Sequence, residues 1–513
     1  MTEHFDVLIV GAGLSGIGAA YHLQTRCPDK TFAILEGRES LGGTWDLFRY
    51  PGVRSDSDMY TLGYRWKPWH NPKAIADGAS ILAYVREAAR ETGVERKIRF
   101  QQRMQRASWS SDRARWTVEV QTGAETGADS GDQETRRYTC NFLYMCTGYY
   151  RYAGGYDPHI AGQESFAGRI VHPQQWPSDL SYAGKRVVVI GSGATAMTLV
   201  PEMAKQAQHV VMLQRSPTYV VSAPAVDPLA GALRKSLPPK AAYGISRWKS
   251  VLLGALFFRI ARRSPRFAKQ ALLKGVREAL GPSFDVDTHF TPRYGVWEQR
   301  VCLIPDGDLF EALNAGRAEV VTDHIERITD HGIRLQSGKE LEADIIVKAT
   351  GLELEVAGGC EFTVDGRRFE ATESMNYKGC MFTGLPNLVY TFGYTNASWT
   401  LKADLVAEFV CRLLREMQAK GADKCLPREP GPEVGRAPWI DFSSGYVQRA
   451  LSRFPSQGLK RPYRLYQNYF LDMLLMRYGR IQDGVLELSH TAHDARQEQE
   501  RPVPEAHPEH PRA

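Results

Sequence analysis

The sequence lacks several features that mark large classes of protein. Its longest apolar run, VLLGALFF at residues 251–258, is far too short to span a bilayer. The N-terminus leads straight into the folded-looking FDVLIVGAG, with no basic and then apolar leader. The eight cysteines form no CxxC pair and have no metal-like spacing. These absences favour a reduced, cytoplasmic protein, in which neither a metal site nor a disulfide scaffold is expected.

Positive charge is concentrated in one part of the chain. The net charge is +6, yet residues 231–277 contain twelve Lys or Arg and no Asp or Glu. Because the rest of the chain is therefore net acidic, no nucleic-acid partner is predicted. The basic segment has helical spacing and would suit peripheral contact with an anionic membrane, such as the inner face of the cell membrane. Residues 491–513 have almost no large apolar side chain and are predicted to form a disordered tail.

A first strand–glycine–helix unit lies at the N-terminus. The apolar strand FDVLIV runs into GAGLSG, where Gly11, Gly13 and Gly16 have the GxGxxG spacing of a dinucleotide site. Bare glycines let a pyrophosphate approach the backbone at the start of the helix, where Ser15 also lies. The next strand, TFAILE, ends in Glu36, at the place where a dinucleotide fold puts a carboxylate on a ribose. The unit therefore predicts a dinucleotide-binding domain.

A second unit of this kind, RVVVIGSGATAMTLV, begins at residue 186. Its following strand, HVVMLQRS, has Gln214 where the first unit has its carboxylate, and Arg215 and Ser216 come next. An arginine pairs with a 2′-phosphate, which a carboxylate would repel, so this site is predicted to take NADPH rather than NADH. The other interpretation of Arg215 is an ordinary surface charge. The residues assigned to the second site are Gly191, Gly193, Ala194, Thr195, Arg215 and Ser216.

Two dinucleotide sites on one chain, the first suited to FAD and the second to NADPH, indicate a flavoprotein that accepts hydride from a nicotinamide. Apolar strands that end in Thr-Gly at residues 147–148 and 350–351 mark where the chain leaves and re-enters the flavin domain. A reduced flavin can pass electrons to a disulfide, to another carrier or to O2. The nearest cysteine pair, Cys140 and Cys146, has the wrong spacing for a redox disulfide, and transfer to O2 is favoured.

Two gapped motifs lie in order around these units. FAGRIVHPQQWP fits the pattern FxGxxxHxxxWP through Phe166, Gly168, His172, Trp176 and Pro177. GGTWDLFRYPGVRSD fits a Gly-Gly-x-Trp followed by an aromatic-Pro-Gly and an Asp, through Gly42, Gly43, Trp45, Tyr50, Pro51, Gly52 and Asp56. With these motifs the sequence resembles the type I Baeyer–Villiger monooxygenases over roughly residues 5–485.

The resemblance implies an enzyme that uses FAD, NADPH and O2. NADPH would reduce FAD, O2 would form a peroxyflavin, and oxygen insertion into a ketone would give an ester or a lactone. Sulfoxidation of thioethers or thioamides is implied as a second activity. Two alternatives stay open: an N- or S-oxygenating flavin monooxygenase with little ketone activity, and a flavoprotein that binds a membrane or partner and merely releases peroxide.

The resemblance also implies roles for individual residues. Arg300 stands where the family has its active-site arginine, which would stabilise negative charge during oxygen insertion, and Asp56 resembles the carboxylate that positions it. A purely structural Arg–Asp pair is the other interpretation. Many relatives carry a Lys before the arginine, but here it is Gln299, so the NADPH preference depends more on Arg215. The residues implied to contact FAD through the second motif are Gly43, Thr44, Trp45 and Asp56.

The FAGRIVHPQQWP segment does not have the pattern of a core element, because it combines prolines, His and Gln within a few residues. It is interpreted as a linker between the two domains. His172 either couples the relative position of the domains or is a structural histidine in a turn.

The predicted fold is α/β, with two Rossmann-like domains, the NADPH domain being inserted in the FAD domain. A helical insertion beside the active site is implied within the NADPH domain. The predicted boundaries are 1–150 and 345–490 for the FAD domain, 151–222 and 300–344 for the linker and NADPH domain, 223–299 for the helical insertion, and 491–513 for the tail.

Overall fold

The computed structural model describes residues 2–123 and 134–491. The predicted tail lies outside the described residues except for its first member, Thr491. That residue is buried, and its backbone N–H donates to Asp423 Oδ2 at 3.1 Å. Thr491 therefore belongs to the folded domain, and the predicted start of the tail is one residue too early.

The described part of the chain forms 25 strands and 13 α-helices. Its strands are β1 (Glu3–Val10), β2 (Phe32–Leu35), β3 (Ile98–Arg99), β4 (Gln102–Ser110), β5 (Arg115–Thr122), β6 (Thr135–Met145), β7 (Arg169–Val171), β8 (Arg186–Ile190), β9 (His209–Gln214), β10 (Val220–Ala223), β11 (Cys302–Pro305), β12 (Ala318–Thr322), β13 (Ile325–Thr329), β14 (Gly332–Leu335), β15 (Glu340–Glu342), β16 (Ile345–Lys348), β17 (Glu361–Val364), β18 (Arg367–Arg368), β19 (Asn376–Tyr377), β20 (Met381–Phe382), β21 (Leu388–Tyr390), β22 (Lys424–Pro427), β23 (Arg436–Pro438), β24 (Ser456–Gly458) and β25 (Leu486–Ser489). Its α-helices are α1 (Leu14–Arg26), α2 (Thr44–Leu47), α3 (Met59–Leu62), α4 (Gly78–Glu91), α5 (Ala194–Met203), α6 (Pro228–Ser236), α7 (Pro239–Arg263), α8 (Pro265–Leu280), α9 (Val286–Phe290), α10 (Asp308–Asn314), α11 (Trp399–Ala419), α12 (Gly445–Gln448) and α13 (Tyr469–Arg477).

The first domain is built on a sheet with the order β18-β17-β4-β5-β6-β1-β2-β3, and β21 also pairs with β6. Strand β1 runs parallel to both β2 and β6, so both of its edges are hydrogen-bonded, and its last four residues, Val7 to Val10, are apolar and buried. Val7 and Ile9 pack on the face that carries α1 and α11, whereas Leu8 and Val10 pack on the opposite face. This double burial fixes the strand end from which the first glycine loop emerges.

The second domain is built on a parallel sheet with the order β12-β9-β8-β16-β7. Strand β16, residues 345–348, pairs with β8 and with β7, so it belongs to this sheet and not to the first domain. The predicted boundary at 345 is therefore wrong by one strand. The two Rossmann-like sheets confirm the predicted fold class.

The segment interpreted as a linker contributes to this second sheet. Residues 169–171 form its edge strand, β7, and Phe166 is buried among apolar residues beneath it. The prediction that FAGRIVHPQQWP contains no core element is wrong for these residues. A three-residue edge strand needs only one hydrogen-bonded neighbour, which is why it tolerates the polar and proline-rich sequence around it.

Helices α6 to α9 occupy the segment predicted as a helical insertion, between β10 and β11. These two strands pair in parallel from Val220 with Cys302 to Ala223 with Pro305, so the inserted segment leaves at the end of β10 and returns to the start of the neighbouring strand β11. Helix α7 packs against α3 of the first domain through Arg247, which donates to Tyr60 O at 2.6 Å and Gly63 O at 2.8 Å. The insertion is thus anchored to both domains.

The two points where the chain crosses between domains are hydrogen-bonded to each other. The N–H of Tyr156 donates to Gly351 O at 3.0 Å, and Thr350 Oγ1 donates to Tyr156 O at 2.5 Å. The FAGRIVHPQQWP segment also contacts this crossing, because Gln174 Nε2 donates a hydrogen bond to Arg151 O at 2.8 Å. The half-buried His172 packs its ring against this crossing, and burial lowers the pKa of its imidazole.

Gly155→Ala should destabilise this crossing. A Cβ at this position would lie 2.2 Å from His172 Cε1 and 3.0 Å from Gly351 O, so the ring and the backbone would have to move. Overpacking of this kind typically costs about 1–3 kcal/mol. Thermal unfolding of Gly155→Ala beside Gly154→Ala is the measurement, because a Cβ at Gly154 meets only Gln175 Nε2, at 3.9 Å. Equal melting temperatures for the two variants would contradict the steric argument.

Candidate active site

The first glycine loop is packed so closely that side chains are excluded. Gly11 has φ +102°, and a Cβ there would lie 2.6 Å from Cys146 O. A Cβ on Gly16 would lie 1.8 Å from Gly11 O, so helix α1 could not approach the strand. Gly16 therefore serves the packing of strand against helix, and Gly11 and Gly13 form the turn that a pyrophosphate would approach.

The Gly-Gly-x-Trp motif folds over this loop. The N–H of Gly42 donates to Ala12 O at 3.0 Å, and a Cβ on Gly43 would lie 3.1 Å from Gly13 Cα. Helix α2 then starts at Thr44, directly beside the first helix N-terminus. Two glycine turns therefore face one another with no side chain between them, a cradle that fits the phosphates of a bound dinucleotide.

Glu36 lies at the end of β2, where the sequence predicts a ribose contact. Its carboxylate is buried and accepts hydrogen bonds from the N–H of Ala12 at 2.7 Å and of Arg38 at 3.1 Å. Burial raises the pKa of this carboxyl. The two bonds fix the carboxylate against the glycine loop, and each oxygen retains a lone pair for a ribose hydroxyl.

One large cavity, about 1250 Å³, connects the two predicted cofactor sites. It extends from the first glycine loop to the N-terminus of α5 in the second domain, and helix α7 forms part of its wall. The predicted site residues that line it are Gly11, Gly13, Ser15, Glu36, Gly43, Thr44, Trp45, Asp56, Ala194, Thr195 and Arg300. The predicted site residues outside its lining are Gly16, Gly191, Gly193, Arg215 and Ser216.

Arg300 and Asp56 form an ion pair on the cavity wall. The Arg300 Nη1 to Asp56 Oδ2 distance is 2.5 Å, and the two side chains are 35% and 38% exposed. The Asp56 carboxylate raises the pKa of Arg300 well above its usual range. The guanidinium is therefore permanently charged, held at one end, and open to the cavity at the other.

Sequence reasoning missed the aromatic residues that support this site. Trp399 Nε1 donates to Ser15 Oγ at 2.7 Å, and its ring stacks on Tyr149 with centroids 5.1 Å apart. The Tyr149 hydroxyl lies 3.1 Å from that of Tyr150, and both rings line the cavity with Trp399. The signal in the sequence was the Tyr-Tyr pair directly after the first Thr-Gly crossing.

The second glycine loop is open on the side that faces the helix. Gly191 has φ +138° and lies against Ala349 O, whereas a Cβ on Gly193 would meet no atom of the described residues within 4 Å. Helix α5 begins at Ala194. The loop therefore combines a tight turn with free space at a helix N-terminus, which fits a second dinucleotide phosphate.

Gln214 and Arg215 have different environments. Gln214 is buried, and its Nε2 donates to His289 O at 2.8 Å and to Thr322 Oγ1 at 2.9 Å, so its amide joins β9 to β12 and the insertion. Arg215 and Ser216 follow at the exposed carboxyl end of β9. Of Gln214, Arg215 and Ser216, the last two are therefore the ones accessible to a cofactor.

The cysteines are free thiols in this structure. Cys140 and Cys146 are both buried on β6 and its end, and burial raises the pKa of Cys146 to about 12. A buried neutral thiol is a poor nucleophile, and so it is poorly suited to the thiol–disulfide exchange that a redox pair needs. The pair therefore does not serve a redox disulfide.

Family comparisons agree with this architecture. A model of NAD(P)-binding Rossmann-like domains matches residues 9–71, and a model described as flavin-binding monooxygenase-like matches residues 67–227. Among solved structures, an oxidised steroid monooxygenase bound to NADP has a TM-score of 0.73 at 23% identity, covering 95% of this chain and 100% of its own. OTEMO in complex with FAD and NADP has a TM-score of 0.70 at 22% identity, again covering 95% and 100%. These likenesses show the fold.

Curated relatives match over nearly the whole length. The chain is 53% identical to the FAD-containing monooxygenase EthA of Mycobacterium tuberculosis (strain H37Rv), over 95% of this chain and 98% of that protein. It is 44% identical to the probable FAD-binding monooxygenase AlmA of Acinetobacter baylyi, over 95% and 96%. The chain therefore belongs to the family of FAD-containing, flavin-binding monooxygenases.

Proposed function

We propose that the protein inserts one oxygen atom of O2 into ketones to give esters or lactones. Oxidation of sulfur in thioethers or thioamides is proposed as its second activity. The observation that carries the proposal is the Arg300–Asp56 ion pair on the wall of a cavity that connects the two dinucleotide cradles.

Each cofactor has residues that would hold it. Gly11, Gly13, Gly43 and Glu36 would bind FAD, and the loop at Gly193 would bind the pyrophosphate of NADPH. When bound, FAD reduced by NADPH supplies the activation of O2. The protein must then place a carbonyl group beside it and stabilise the charge that develops.

Arg300 is the group suited to that stabilisation. Oxygen attack on a ketone puts negative charge on the carbonyl oxygen, and a fixed cation that does not need to reorganise lowers the barrier. Asp56 holds the guanidinium from one side, so that its remaining N–H groups stay directed away from the pair. Asp56 is a positioning residue in this proposal.

The rest of the wall selects for apolar substrates. Side chains from the insertion and from α11 and α13 contribute an apolar surface that includes Val251, Phe257, Phe258, Leu401 and Phe470, and the insertion adds Arg259, Arg262 and Arg263 beside it. A ketone or thioether with alkyl or aryl substituents would bury these groups there and leave only the reacting polar atom to be bonded.

The overall test is a comparison of product and electron balance. Purified protein with FAD and NADPH is given a ketone and a thioether under isotopically labelled O2, and product mass is measured beside hydrogen peroxide. One labelled atom in an ester supports the proposal. Labelled sulfoxide without ester indicates the S-oxygenating alternative, and recovery of all NADPH electrons as peroxide with every substrate would rule out oxygenation.

Arg300→Ala should uncouple the enzyme. FAD binding and reduction by NADPH do not need a cation at this place, whereas oxygen insertion does. Loss of one such stabiliser typically costs about 2.7–4 kcal/mol, on the order of a hundredfold to a thousandfold in rate. Ester formation should fall by that factor while peroxide production continues, and Asp56→Ala should show a milder loss.

Arg293→Ala, which removes an exposed arginine of the same segment, is the control. Near wild-type ester formation by Arg300→Ala would remove the residue from the mechanism.

Arg215→Ala should weaken the preference for NADPH over NADH. Its exposed guanidinium at the end of β9 is proposed to pair with the 2′-phosphate, and a charge-assisted bond typically contributes about 1.5–3 kcal/mol. The Michaelis constant for NADPH should rise roughly tenfold or more, that for NADH should change little, and Arg215→Lys should restore part of the difference. If both constants rise equally, Arg215 does not contact the phosphate.

We also propose that the basic segment, residues 231–277, contacts an anionic membrane surface. In the structure this segment runs from α6 through most of α8. Because the attraction is between exposed charges and lipid headgroups, binding to vesicles containing phosphatidylglycerol should weaken as salt is raised. Sedimentation at low and high salt measures this, with phosphatidylcholine vesicles as the control. No binding at low salt would leave the segment as a structural insertion alone.

A further inference from the structure

Helix α7 presents a continuous apolar stripe to solvent. Its exposed side chains include Leu252 (54%), Leu253 (57%) and Leu256 (54%). They recur at helical spacing and cover roughly 140° of the helix surface. The members of the stripe are Ile245, Trp248, Leu252, Leu253, Leu256 and Ile260.

The stripe is exposed although the helix itself is firmly packed. On the opposite face Tyr243 donates to Tyr64 O at 2.9 Å, and the buried Arg247 holds the carbonyls at the end of α3. Val251 is buried with Tyr394 and Leu401. Loose docking therefore does not account for the exposed leucines, and an apolar patch of this extent on a packed helix is typical of an interaction surface.

Cations without acidic partners lie at one end of the stripe. Arg259, Arg262, Arg263 and Arg266 are exposed, and within the part of the chain that the structure describes none of them forms an ion pair. The first three also lie at the mouth of the cavity, whereas Arg266 is outside its lining. An apolar stripe next to unpaired arginines matches the two layers of an anionic bilayer surface, acyl chains and phosphate headgroups.

The same helix forms a wall of the cavity. Val251, Gly254, Phe257 and Phe258 line it, and Leu256 belongs both to the lining and to the exposed stripe. The cavity is therefore open along the edge of the stripe. A surface that would rest on lipid is continuous with the apolar interior where the substrate is proposed to react.

We propose that α7 lies on an anionic bilayer and that apolar substrates enter the cavity directly from the lipid, an inference that rests on the proposed oxygenation for its substrate. The helix lies in the plane of the headgroups with its leucines among the acyl chains, and the arginines extend to the phosphates. Among the described residues no helix is long and apolar enough to cross a membrane.

Docking is tested without reference to catalysis. The full-length protein is sedimented with vesicles of phosphatidylcholine and phosphatidylglycerol. Leu252→Asp/Leu253→Asp and Arg266→Glu should bind on the order of tenfold less than the wild type. Leu459→Asp should bind normally, because Leu459 is 55% exposed but lies beside Gly435. Equal binding by all four proteins would overturn α7 as the docking face.

Entry of the substrate from the lipid is tested by comparing a ketone supplied in vesicles with a ketone supplied in buffer. Methyl heptadecyl ketone is given in the same vesicles and methyl ethyl ketone in buffer. Leu252→Asp/Leu253→Asp should lose on the order of tenfold in rate with the vesicle-borne ketone and keep its rate with the water-borne ketone, because neither leucine lines the cavity. Wild-type rates of the variant on both ketones would overturn entry from the lipid.

Controls separate this inference from the proposed function. FAD content and melting temperature show whether the double variant is folded, and if it is not, Arg266→Glu takes its place with the same expected difference between the two ketones. A wild-type protein that oxygenates neither ketone nor the matching sulfides contradicts the proposed function, whereas the sedimentation result still decides the docking face.

Discussion

The arrangement of the site depends on how the loop at residues 53–58 joins the domains. Asp56 in this loop pairs with Arg300, which lies between the end of the insertion and β11. Arg54 pairs with Asp308 at the start of α10, so a second ion pair ties the same loop to the second domain. Asp58 caps α3, against which α7 is packed. A shift of one domain relative to the other would therefore also displace Arg300 and the wall formed by α7, because both are tied to this loop or to the helix that it caps.

The glycine turns, the apolar strands and Glu36 could be predicted from the sequence because each depends on residues that are close together along the chain. Gly11 and Gly16 could be assigned because a GxGxxG turn leaves no room for a Cβ, and the structure places such an atom 2.6 Å or less from backbone oxygens. The apolar strands that precede the glycine turns could be recognised for a similar local reason, since a strand of a parallel sheet is buried on both faces. The ribose contact of Glu36 could be predicted because this residue ends the strand that follows the glycine turn, at the position where a dinucleotide fold has its carboxylate. In each case the information lies within a few dozen consecutive residues.

The features that were missed depend on contacts between distant parts of the chain. Trp399 reaches Ser15 across 384 positions. Strand β16 joins the second sheet only because β7 and β8 flank it. Gln214 could be mistaken for a cofactor contact because its partners, His289 and Thr322, come from other elements. Such pairings are set by packing, which one sequence does not encode in any local pattern.

Helix α7 shows how one element can serve two environments. Its sequence, RWKSVLLGALFFRIARR, has apolar residues on more than one face, so the hydrophobic pattern alone does not show which face is buried. Arg247 decides this, because a cation that holds three carbonyls of the first domain fixes the rotation of the helix about its axis. With that rotation fixed, Val251 must face the cavity side and Leu252 and Leu253 must face outward. A buried polar contact thus determines which apolar side chains are available at the surface, and the opening of the cavity beside them follows from the same rotation.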